Sequence, residues 1–338
     1  VSSKDVFRPT CIIGLGLIGG SLLRDVAARG ATVYGFNRST SGVRAAIKEG
    51  FDASDDLVAT LQRAAADEAL IVIAVPMHAV ADILDAIKEH APNCGFTDVV
   101  SVKAEVLRLV KDRGLEAHYV GSHPMAGTAD SGWNHSHTGL FKQAAWAIAF
   151  DYAVENEDPG KFWIEVFTDV TKLIQLAGAE AIPVEVANHD AAVARVSHLP
   201  HVLAEALAVV GDNGGILAQS LAASSFKDGT RVAGTSPALV RQMCETNSAA
   251  LVDVLDEALI LLADARDNLA ADPADISYLA DAGYRARTRL NARSGAHKNS
   301  VSPVKISSRP VLRLQPGSYG WVSTLKQAES LGGRIEVF

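Results

Sequence analysis

Thr10-Cys11-Ile12-Ile13-Gly14-Leu15-Gly16-Leu17-Ile18-Gly19-Gly20 is an apolar run that turns into a glycine repeat. An apolar run ending in glycine predicts a buried parallel strand over 10–15. Residues 18–29 follow with helical spacing. G-x-G-x-x-G between a strand and a helix is the fingerprint of a dinucleotide-binding unit. Gly14 permits the tight turn, Gly16 lets the backbone approach a pyrophosphate, and Gly19 lets helix and strand pack closely. Leu17 and Ile18 lie where the helix begins, and its free N–H groups and dipole favour the phosphates.

Further strands are expected over 31–36, 70–75, 98–102, 118–121 and 144–150, with an amphipathic helix over 78–90. The fold class is therefore α/β, with a Rossmann-type nucleotide-binding domain first. NAD-selective enzymes usually end the second strand on an acid. Here Asn37-Arg38-Ser39-Thr40 stands instead. Arg38 can pair with a 2′-phosphate and Ser39 and Thr40 can donate to it, so NADP is expected, with NAD as the alternative. Val75 and Pro76 close the third long strand on the cofactor side. Gly121-Ser122-His123-Pro124-Met125-Ala126-Gly127 places one histidine between a strand end and a Gly-rich loop. At the carboxyl edge of such a sheet His123 faces the nicotinamide, where a neutral imidazole accepts a hydroxyl proton. Residues 129–143, with Trp133, His135 and His137, read as a loop with solvent-facing histidines. No metal-ligand spacing occurs.

From residue 161 the pattern turns helical. A helix over 161–176 and a strand-like piece over 179–183 precede a long helix over 184–210, kinked at Pro200. Asp190, Ala194, Ser197, His201 and Glu205 share one stripe of that helix at 100° per residue. Residues 225–237 read as a loop holding a partly buried Arg231, suited to a substrate carboxylate. Helices over 237–247 and 248–269 follow, the second long and apolar, which predicts a homodimer. A basic linker over 271–308 leads to a strand, helix and strand over 310–338. The domain reading is 1–155 for dinucleotide binding, 156–290 for an all-helical substrate and dimerisation domain, and 291–338 for the linker and a short β-α-β extension.

At 338 residues the chain is long enough for two cores, and its 48% hydrophobic and 21% charged content is ordinary for a soluble globular protein. Cys11, Cys94 and Cys244 lack metal or redox spacing and read as reduced thiols, so a cytoplasmic location is expected. No apolar run is read as a membrane span and residues 1–9 do not read as a signal peptide. From Tyr284 onward ten Lys/Arg face two acids, against a net charge of −8 overall. No aromatic or groove-reading motif accompanies that run, so nucleic acid is not an expected partner.

Gly14-Leu-Gly-Leu-Ile-Gly-Gly20, Gly121-Ser-His-Pro-Met-Ala-Gly127 and Ser197-His-Leu-Pro-His201 occur in this order. Together they resemble the prephenate/arogenate dehydrogenase family of tyrosine biosynthesis over about residues 10–290. The resemblance implies a nucleotide-binding domain followed by a helical dimerisation domain. It implies oxidative decarboxylation of prephenate or arogenate, to 4-hydroxyphenylpyruvate or tyrosine. It makes His123 the catalytic histidine, Ser101 the serine that orients it, and Arg231 the arginine that holds a substrate carboxylate. Ser197 and His201 match substrate-side positions, and His189 and His198 match family histidines one layer further out. Family members often carry a tryptophan where this chain has Val240, and residues 296–338 are too short for the regulatory domain that some members append. Two other readings compete. A β-hydroxyacid dehydrogenase needs a catalytic lysine, Lys103 or Lys172. A non-enzymatic NADPH-sensing regulator would use the basic tail as its contact.

Overall fold

The structure, a computed structural model, describes residues 7–127, 131–293 and 309–338. The chain forms two compact units, one from residues up to Asp190 together with Val311–Phe338, the other from Ala191–Pro310. This differs from the expected boundaries at 155 and 290. A late strand completes the sheet of the first unit, and the C-terminal extension joins that unit rather than standing apart.

The first unit is built on an eight-stranded sheet: β1 (Thr10–Ile13), β2 (Val33–Phe36), β3 (Ala53–Ser54), β4 (Leu70–Ile73), β5 (Phe96–Asp98), β6 (Tyr119–Pro124), β7 (Ala145–Ala149) and β8 (Glu180–Val184). Their order is β3-β2-β1-β4-β5-β6-β7-β8. Strands β3 to β6 are parallel; β7 is antiparallel to β6, and β8 parallel to β7. The helices between them are α1 (Leu17–Ala28), α2 (Thr40–Lys48), α3 (Leu57–Ala66), α4 (Met77–His90), α5 (Ala104–Lys111), α6 (Asp151–Glu155) and α7 (Gly160–Leu176). Strand side chains alternate between two cores. Ile12, Leu70 and Val72 pack with Leu22, Val166 and Phe167, while Cys11, Ile13, Ile71 and Ile73 pack with Leu61, Leu84 and Val106. Burial on both faces explains why these strands are apolar throughout.

Two expected strands are placed differently. The strand expected over 98–102 ends at Asp98, because its side chain accepts from Val100 N at 2.8 Å and turns the chain. The strand expected over 118–121 continues to Pro124, because β7 pairs with it at Ser122↔Ile148 and His123↔Ala147. His123 is therefore on a strand, not at the mouth of a loop. The two-residue β3 has no sequence signal. In the segment after residue 130, Trp133 is buried under the Arg24 guanidinium, 4.3 Å from its ring, and His135 and His137 are exposed as expected.

In the helical half α8 (Val186–Val193) and α9 (Leu199–Asp212) replace the single helix expected over 184–210. They are joined by a π turn, Ala194–His198, beside Pro200, which has no N–H to give the preceding turn. The extra residue of the π turn shifts the helical phase, so the expected stripe from Asp190 to Glu205 is broken. Then come α10 (Gly215–Leu221), α11 (Ser224–Thr230), a 3₁₀ turn at Arg231–Gly234, α12 (Pro237–Thr246), α13 (Ser248–Ala270) and α14 (Ser277–Arg293). The loop expected over 225–237 is thus mostly helical. The first part of the expected linker over 271–308 is α14, and residues 294–308 of it lie outside the described ones. Contrary to the sequence expectation, Val186–Asp212 is long and apolar enough by composition to cross a bilayer. It contains Asp190, Arg195 and Glu205, and Leu203, Leu207, Val209 and Val210 on it are exposed, as are Leu259, Ile260 and Leu262 on α13.

The C-terminal β9 (Val311–Leu314) and β10 (Arg334–Val337) form a parallel pair joined by α15 (Trp321–Leu331). The β-α-β reading holds. It folds onto the first unit, where Trp321 meets Phe167 edge-on at 5.6 Å and Leu325 is fully buried.

Candidate active site

The carboxyl ends of β1, β2, β4 and β5 lie along one edge of the first unit, as parallel pairing requires. At β1, Gly14 has φ +106°, and a Cβ there would sit 2.4 Å from the Ala74 carbonyl oxygen. A Cβ on Gly19 would fall 1.9 Å from Gly14 O, so helix and turn touch as the fingerprint requires. A Cβ on Gly16 would meet nothing within 4 Å. This open space lies over the N-terminus of α1, which has no side-chain cap and no acid in its first turn. Unsatisfied N–H groups facing open space suit a pyrophosphate. Leu17 is buried and Ile18 half-buried in the first turn. Val75 and Pro76 follow β4, and Pro76 heads α4, again without a side-chain cap. The residues present therefore fit a dinucleotide.

Asn37 ends β2 half-buried, and Arg38, Ser39 and Thr40 are exposed. Ser39 Oγ caps α2 by accepting from Gly42 N at 3.3 Å, and it lies 2.9 Å from Ser41 Oγ. Arg38 makes no ion pair among the described residues.

His123 lies two residues beyond Gly121, the partner of Asp98 at the end of β5. Its Nδ1 is 3.0 Å from His189 Nε2, and the two rings meet edge to face at 5.2 Å. His189 Nδ1 is 2.7 Å from Asp190 Oδ1. A carboxylate only accepts, so His189 carries its proton on Nδ1 and, when neutral, accepts at Nε2. His123 then donates from Nδ1 and bears its lone pair on Nε2. The Asp190 carboxylate also accepts from Lys103 N at 2.9 Å and Ala104 N at 2.8 Å, at the N-terminus of α5. Burial pushes the Asp190 carboxyl up, but its bonds from His189 and those two backbone groups outweigh this and hold it below the usual range.

A second buried cluster lies beneath. Lys103 Nζ pairs with Asp98 Oδ1, and Tyr119 Oη donates to Asp98 Oδ2 at 2.6 Å. Burial pulls the Lys103 ammonium down, opposed by Asp98. A fully buried, paired Lys103 is poorly placed to act as a catalytic base, and Lys172 is exposed on α7.

Ser101 is half-buried in the loop between β5 and α5, and no hydrogen bond joins it to His123 among the described residues. The side chain on His123 Nδ1 is His189. In the second unit, His201 Nδ1 donates to the Ser197 carbonyl oxygen at 2.8 Å, and His201 Nε2 is 3.4 Å from Thr235 Oγ1. His198 Nδ1 accepts from Asn247 at 3.2 Å. Arg231 opens the 3₁₀ turn that follows α11 and is exposed, not partly buried as expected, and it makes no ion pair among the described residues. His189 was placed one layer out by the sequence reading; it touches His123 directly. The adjacent His-Asp pair was visible, but its pairing across 66 residues was not.

A glycine cradle for pyrophosphate and a histidine at the carboxyl edge of a doubly wound sheet define a pyridine-nucleotide-dependent dehydrogenase. The nucleotide-binding domain of prephenate dehydrogenase matches residues 21–175, and the dimerization domain of the same enzyme matches residues 185–275. A cyclohexadienyl dehydrogenase from Zymomonas mobilis is 30% identical over 284 residues, covering 80% of this chain and 91% of that protein. A Corynebacterium glutamicum structure provisionally assigned as a prephenate dehydrogenase is 56% identical, with a TM-score of 0.93 over 99% of this chain and 100% of the other. Synechocystis arogenate dehydrogenase is 28% identical, with a TM-score of 0.64 over 85% of this chain and 97% of the other. The chain belongs to the prephenate dehydrogenase family and is an NAD(P)-dependent oxidoreductase.

Proposed function

We propose that the protein catalyses NADP-dependent oxidative decarboxylation of prephenate or arogenate in tyrosine biosynthesis. The observation that carries this reading is the bond between His123 Nδ1 and His189, which makes Nε2 the basic nitrogen of His123 at the carboxyl edge of the sheet. Bound at Gly14, Gly16, Leu17, Ile18 and Gly19, along Val75 and Pro76, a nicotinamide cofactor supplies the hydride acceptor. His123 takes the ring-hydroxyl proton as the carbinol carbon is oxidised, and the ring carboxylate leaves as CO₂, giving an aromatic ring. Ser101 is the serine of the carboxyl-edge loop that steadies the hydroxyl or its base. Arg231 holds a substrate carboxylate, and Ser197 and His201 contribute to the substrate wall. The relatives' names support both substrates, since they include a cyclohexadienyl and an arogenate dehydrogenase. Arg38 favours NADP over NAD. The exposed apolar residues of α9, α10 and α13 support a homodimer, and we place the enzyme in the cytoplasm.

Absorbance at 340 nm, with prephenate or arogenate and NADP or NAD, tests the reading. Turnover with at least one substrate is expected, faster with NADP, and His123→Asn should lower kcat by about 10²–10⁴-fold. Silence in all four mixtures, or full activity in the variant, would overturn it.

A further inference from the structure

His123, His189 and Asp190 form a continuous chain of hydrogen bonds that ends on a helix N-terminus. We propose that His189 and Asp190 are positioning residues that fix the tautomer of His123 and stabilise its protonated form. The inference rests on the reading of His123 as proton acceptor.

Among the described residues, the His189 ring and the N–H groups of Lys103 and Ala104 hold the Asp190 carboxylate. The positive end of α5 adds to these and favours the charged form. His189 and Asp190 are both buried, so their interaction is little screened by water. When His123 takes a proton, the new positive charge meets a fixed imidazole whose far side faces a permanent negative charge. The proton on His189 Nδ1 stays there; the gain is orientation and electrostatic stabilisation. Among the described residues, Lys103 and Tyr119 feel the Asp190 charge, both bond Asp98, and Tyr119 also feels Asp151, which in turn feels Glu185. Lys103 is paired with Asp98 and also feels the Asp190 charge, while the His189 ring bonds the Asp190 carboxylate directly at 2.7 Å.

The test uses Asp190→Asn and His189→Gln in the full chain. Gln at 189 keeps an acceptor for His123 Nδ1–H but loses the link to the carboxylate. In both variants kcat should fall by about 10–100-fold while the KM for substrate and for cofactor stays within about threefold. The acidic limb of kcat/KM should move to lower pH by about one unit, because the charge that favours imidazolium is gone. Imidazole ¹⁵N spectra of the cofactor-free protein, assigned with His123→Asn, give a readout without turnover: the His123 midpoint should fall in both variants. A midpoint and limb at their wild-type positions would overturn the inference. If Asp190→Asn does not fold, for want of its bonds to α5, His189→Gln decides alone. Activity retained in His123→Asn would sink the proton-acceptor reading instead, and the spectra would still report whether Asp190 governs His123.

Discussion

Arg38 and His123 show what a single residue reveals before any fold is known. Arg38 follows the second strand where a carboxylate would exclude a 2′-phosphate, and the structure leaves it exposed at that strand end. Arg38→Ala should raise the KM for NADP about tenfold, the loss of one charge-assisted contact, and leave the KM for NAD nearly unchanged. An equal rise for both cofactors would place Arg38 against the part they share. His123 was legible because glycines and a proline flank it. His189 was not, because a contact made across 66 residues depends on how α8 meets β6. Ser101 shows the same limit from the other side: its motif was visible, yet the bond to His123 Nδ1 comes from His189.

Whole elements were legible where period and punctuation agreed. Strands β1, β2, β4 and β7 and helix α13 lie close to their expected places. The π turn was not foreseen, since Pro200 signals a kink but not its form. Helix α11 and the turn after it were hidden by Gly229 and Gly234, which read as loop. Asp151 links two elements: it opens α6, and its carboxylate accepts from Val186 N at 3.0 and 3.1 Å. Burial pushes its carboxyl up from an ordinary 3.8 to about 6, against the pull of the Val186 bond. The native state therefore holds this proton more tightly than the unfolded chain. Its contribution to stability is complete below about pH 4 and is lost as the pH rises through about 6. Urea unfolding of wild type and Asp151→Asn across that window checks it. The wild type should lose stability relative to the variant as pH rises, and parallel curves would refute the assignment.

For the molecule as a whole, the sequence showed a nucleotide-binding half, a helical half and a short terminal piece, but not where that piece belongs. Its destination is an aromatic surface of Trp163 and Phe167 on α7, which no local pattern in residues 310–338 announces. Trp321→Ala should destabilise the first unit by about 3–5 kcal/mol, the usual cost of deleting a buried indole. A calorimetric melt should then shift down by several degrees, and an unshifted melt would mean that α15 does not hold this place in solution.

The docking of β9, α15 and β10 also bears on synthesis. A ribosome makes α7 well before its cover, which follows the whole helical unit in the chain. Throughout that interval the faces of Trp163 and Phe167 that meet Trp321 lack their cover. Such a surface invites chaperones, and a chain cut short before residue 311 keeps it uncovered for as long as it survives.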